Sequence, residues 1–215
     1  MNIDCSMPTL LLHETKPEFI KRIIDSYSIF PAKNINTSKK SKRYLFTYLA
    51  VLFNHISLFP SNIRSPKYYE NKIILFFDSE VLDAQHPICF SPTWRFGDCS
   101  KKDSLVYDDS ISPEENISLW EDAYKLHTSK RRNTMNANIL KLYKPMESYG
   151  QNELVFKDPI PLTYCRAIFD MAADYDVPSS ILLLKTTEEL EEYLKENGYI
   201  KKLGGSRRIT RRRKN

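Results

Sequence analysis

Glycine is scarce in this chain of 215 residues: five in all, at positions 97, 150, 198, 204 and 205. That excludes a Gly-rich phosphate cradle, so neither a Walker loop nor a GxGxxG dinucleotide turn is available. Histidine and cysteine are equally sparse, four of each. Cys5, Cys89, Cys99 and Cys165 show no CxxC spacing, and His13, His55, His86 and His127 do not fall beside them as zinc ligands would, so no metal is expected. His86 and Cys89 are the one close pair, with Pro87 between them, and read as a loop. Reduced thiols are the expectation. No stretch approaches 18 consecutive apolar residues, and the N-terminus lacks the basic-then-apolar order of a signal peptide. The chain therefore reads as soluble and intracellular, with no membrane partner.

What is present is a foldable composition: 41% hydrophobic and 12% aromatic residues, in a length sufficient for one sizeable core. The formal charge of +5 is unevenly spread. Residues 201–215 hold eight basic and no acidic side chains, so residues 1–200, with 24 basic against 27 acidic, carry about −3. Arg207, Arg208, Arg211, Arg212 and Arg213, following Gly204-Gly205-Ser206, form a flexible basic arm suited to the phosphates of DNA or RNA, or to a nuclear address. A solvated tail without function is the plain alternative.

Strand signals alternate with helix signals. Leu10-Leu11-Leu12 reads as a strand ending at His13-Glu14-Thr15, then a helix opened by Thr15 with Pro17 in its first turn. The polar, basic stretch 34–43 is a surface loop. Tyr44–Phe59 starts as a strand around Thr47, its second half from Leu49 to Leu58 is long enough for a buried helix, and periodicity does not decide where one becomes the other. Lys72–Phe77 is a buried central strand, Ser79–Leu82 a helical turn, Pro87–Gly97 a short strand and turn, and Leu105–Tyr107 another strand. Ser112-Pro113-Glu114-Glu115 opens a helix with Ile117, Trp120, Ala123 and Tyr124 on one face. Ile139–Tyr143 is a strand running toward Gln151-Asn152-Glu153, where a loop with Gly150 delivers a carboxylate to the strand Leu154-Val155-Phe156, stopped by Pro159 and Pro161. Tyr164–Met171 returns to the core, 174–180 is a linker, 181–184 a short apolar piece, and Thr186 caps a helix to Asn197 with Gly198 as its stop. The order is that of an α+β fold with a mixed or split sheet. The expected organisation is a domain over residues 1–180, a helical extension over 181–200 and a flexible basic tail over 201–215.

Two fragments carry a resemblance. The opening LLHETKPEFIKRIIDSYSIFP, a strand ending in His-x-Thr before a short helix, and the closing GQNELVFKDPIPLTYCRAI, a strand entered at Glu, together resemble the ADP-ribosyltransferase fold family. More distantly, NELVFKDPIPL and the His-x-Thr opening are similar to its DarT-type, DNA-modifying members. The resemblance implies a split mixed β-sheet with short helices, to which a C-terminal helix and basic tail are added. It implies a glycosyltransferase that takes NAD as substrate and transfers ADP-ribose to a macromolecule. Glu153 would then stabilise the cationic ribose, with Gln151, two residues earlier and on the same side of an extended chain, orienting the acceptor. His13 and Thr15 would hold NAD. Tyr44 and Thr47 fall where the family's second motif stands, and there the match is poorest.

Each residue also has a plainer role: Glu153 an edge-strand carboxylate, Gln151 a loop amide, His13 a structural histidine, Thr15 a cap, Tyr44 and Thr47 core. Arg43 and Arg95 are candidates for pyrophosphate or base contacts, with Trp94 a stacking surface beside Arg95. Two rivals to the transferase remain: an NAD-using tRNA 2′-phosphotransferase-like enzyme, disfavoured by so few histidines, and a non-catalytic protein that binds nucleic acid or a partner through its tail.

Overall fold

The computed structural model describes residues 10–31, 47–52, 72–91, 99, 105–120, 122 and 153–198. The strands are β1 (Leu10–Thr15), β2 (Ser28–Ile29), β3 (Thr47–Leu52), β4 (Ile73–Phe77), β5 (Cys89–Ser91), β6 (Leu105–Val106), β7 (Glu153–Phe156), β8 (Ile160–Pro161), β9 (Cys165–Phe169) and β10 (Leu182–Leu184). The helices are α1 (Pro17–Ser26), α2 (Val81–Ala84), α3 (residues 113–120) and α4 (Thr187–Glu196), with a 3-10 turn at Leu162–Tyr164. The fold is α+β. Among the described residues eight strands form one sheet in the order β10-β9-β4-β1-β3-β7-β5-β6, and β2 pairs with β8 beside it. The β9–β10 pair is parallel and the other neighbours are antiparallel, so the sheet is mixed.

Alternation along the strands divides the core between two faces. Leu11, Leu49, Ile73, Leu75, Phe77, Leu154, Phe156 and Phe90 point to one face, where Ile20 and Ile23 of α1 and Trp120 of α3 cover them. Leu10, Leu12, Ile74, Phe76, Ala167 and Phe169 point to the other, under Leu190, Tyr193 and Leu194 of α4. Local signals place the covering helices. Ser112 and Glu115 exchange the two bonds of a capping box at the start of α3, and Thr186 and Glu189 do the same at α4. Gly198, at φ 74°, ends α4 in the left-handed conformation that glycine adopts without penalty.

Some expectations are corrected. Thr15 is not the cap of α1: it is the last residue of β1, and Lys16 holds the N-cap position with no side-chain bond, while Pro17 occupies the first turn as expected. Leu49–Leu52 is strand, because residues 47–50 pair with β7 and residues 50–52 with β1. Strand β10 is hydrogen-bonded to β9, and Leu190, Tyr193 and Leu194 of α4 pack on one face of the same sheet. Cys89 and Cys99 are not free thiols but a disulfide, Cα–Cα 5.9 Å. Cys165 is a buried free thiol whose pKa burial pushes up to about 12, which leaves it inert. No helix among the described residues is long and apolar enough to cross a membrane.

Candidate functional site

The ladder between β1 and β3 ends early. Leu10, Leu11 and Leu12 pair with Leu52, Val51 and Ala50, and no pair follows. Yet β1 runs on to Thr15, paired there with β4, and β3 reaches back to Thr47, paired there with β7. The two halves of the sheet therefore part between residues 13–15 and 47–49. This is where the split of the sheet falls.

His13 stands at the head of the split. Its Nδ1 lies 2.9 Å from the carbonyl oxygen of Tyr48, across the interrupted ladder. A carbonyl only accepts, so Nδ1 carries the proton and Nε2 of the neutral ring presents a lone pair. Burial lowers the His13 pKa from its ordinary value, against the Tyr48 carbonyl and the Glu14 carboxylate, which raise it, and so favours the neutral ring. Continuing the register past Leu12–Ala50 sets Thr15 opposite Thr47, and both lie on the His13 face of their strands. Thr47 is 2% exposed, and its hydroxyl has no hydrogen-bond partner among the described residues. A buried hydroxyl without a partner costs about 1–3 kcal/mol.

Glu153 is the first residue of β7 and only 5% exposed. It pairs with Ala50 on one side and Ser91 on the other, at the level where the β1–β3 ladder stops. Two strand spacings separate Leu12 from Glu153, so the carboxylate is rooted about 10 Å from the head of the split. Its side chain, however, belongs to the opposite face, with Val155 and Tyr48, whereas His13, Thr15 and Thr47 share the α1 face. The structure thus links His13 to Tyr48 of β3 and sets Glu153 on the opposite face of the sheet. Gln151, Tyr44, Arg43, Trp94, Arg95 and the tail arginines 207, 208, 211, 212 and 213 lie outside the described residues.

Sequence reading missed two features. The His13–Tyr48 bond joins residues 35 apart, and no local pattern signals it. At the far end of the sheet His86 pairs through Nδ1 with Asp109 and stacks on Tyr107, ring centroids 4.7 Å apart. Burial, then the charges of Asp109, Asp83 and Glu114, raise the Tyr107 pKa. Among the described residues no three His, Cys, Asp or Glu side chains are placed to hold a metal ion.

No family model and no curated protein matches the chain. Solved structures are similar to it, two of them of one protein. Thermus sp. 2.9 DarT in complex with carba-NAD+ aligns at 11% identity over 87% of this chain and 88% of that one, TM-score 0.43. The same protein in complex with NAD+ aligns at 10% identity over 83% and 96%, TM-score 0.44.

Proposed function

We propose that this chain cleaves NAD at the nicotinamide–ribose bond and transfers ADP-ribose to a macromolecular acceptor. The observation that carries the reading is Glu153, a carboxylate almost wholly buried at the first position of a central strand, beside the end of the β1–β3 ladder. Taking a carboxylate out of water costs several kcal/mol, against a total stability of about 5–15 kcal/mol.

In the proposed reaction the C–N bond breaks and its electron pair leaves on nicotinamide. The ribose left behind is oxocarbenium-like, and a fixed negative group stabilises it. An acceptor nucleophile then bonds to that carbon and gives up its proton. His13 Nε2 accepts from a ribose hydroxyl, Thr47 and Thr15 offer hydroxyls on the same face, and Gln151 orients the acceptor. Nucleic acid is the acceptor we favour, drawn by the arginines at 207–213. Such a reaction belongs inside the cell, in cytoplasm or nucleus, where NAD and nucleic acid meet.

The test is nicotinamide release from NAD by the purified protein, with and without DNA or RNA, beside Glu153→Gln. We expect release to fall by roughly 10²-fold or more in the variant, the scale of losing one charge-stabilising group, with the melting temperature held. Release unchanged by the substitution would refute the assignment of Glu153.

The separation of Glu153 and His13 onto opposite faces favours a second reading, a split that binds NAD without turning it over. That reading is distinguished by an NAD-dependent rise in melting temperature without nicotinamide release. The 2′-phosphotransferase alternative needs several basic side chains around a phosphate, and His13 is the one histidine at the split among the described residues.

A further inference from the structure

We draw no further inference here: the strongest candidate, the side-chain cluster of His86, Tyr107 and Asp109 between the α2–β5 connection and the turn after β6, carries nothing because its ring and carboxylate pair with each other at the surface and nothing in the structure shows a ligand for them.

Discussion

The Nδ1–H of His13 is committed to the Tyr48 carbonyl, so acid changes what the remaining nitrogen offers. Neutral His13 accepts at Nε2, while protonated His13 donates at both nitrogens and meets a ribose hydroxyl differently. Its folded pKa lies below the ordinary 6.5 because burial disfavours the charged ring. The sign of the linkage follows. Above the unfolded value both states hold neutral histidine and His13 contributes no slope. As pH falls below about 6.5 the unfolded chain binds the proton first, and stability is lost down to the folded pKa. We expect the urea midpoint to fall between pH 7.5 and 5.5, and His13→Gln, which does not titrate there, to flatten that part of the dependence. An unchanged slope in the variant would show that another group is responsible. Activity that needs neutral His13 should hold over that range and fall only as pH approaches the lower folded pKa.

At the level of elements, each capping box is a local instruction with a tertiary consequence. Thr186 accepts from the Glu189 amide, Glu189 returns the bond to the Thr186 amide, and the helix so started lays Leu190, Tyr193 and Leu194 on the second face of the sheet. Thr186→Ala should cost about 1 kcal/mol, or about 2–4 °C in melting temperature for a chain of this size. Leu194→Ala, at a fully buried position, should cost more, about 2–5 kcal/mol, because it leaves a cavity. Equal losses from the two would mean that α4 is held by its start rather than by its packing. These elements were legible because their causes are local: Ser112-Pro113-Glu114-Glu115 and Thr186 to Glu189 announce helix starts, and Ile73–Phe77 announces a strand buried on both faces. The strand opened by Glu153 was legible for the same reason. Long-range geometry was not. That β1 and β3 part after Leu12, that Glu153 and His13 fall on opposite faces, and that Cys99 reaches Cys89 all depend on register between distant segments. Apolar runs such as Leu49–Leu58 also fit strand and helix alike, and pairing with β1 and β7 decides the strand over 49–52.

For the whole molecule, the sheet has two faces to cover, and the chain covers them from different ends. Helix α1 follows β1 directly and serves one face. The other waits for β10 and α4, which come after every strand beneath them. Where the chain is shortened therefore decides between loss of fold and loss of a partner. Ending it at residue 180 removes the edge strand paired with β9 and bares Leu10, Leu12, Ile74, Phe76, Ala167 and Phe169, an apolar surface that soluble chains do not tolerate. Ending it after Gly198 keeps both and discards residues 199–215, with the eight basic side chains found from 201 onward. We expect the shorter form to be insoluble or to unfold without a cooperative transition. The longer form should melt as the full chain does but bind DNA or RNA more weakly, with a shallower dependence of affinity on salt, since fewer phosphate counterions are released. Fluorescence anisotropy over a salt series reads that slope directly. A slope unchanged on removing the tail would place any nucleic-acid contact on residues 1–198, even though residues 1–200 carry a small net negative charge by residue count.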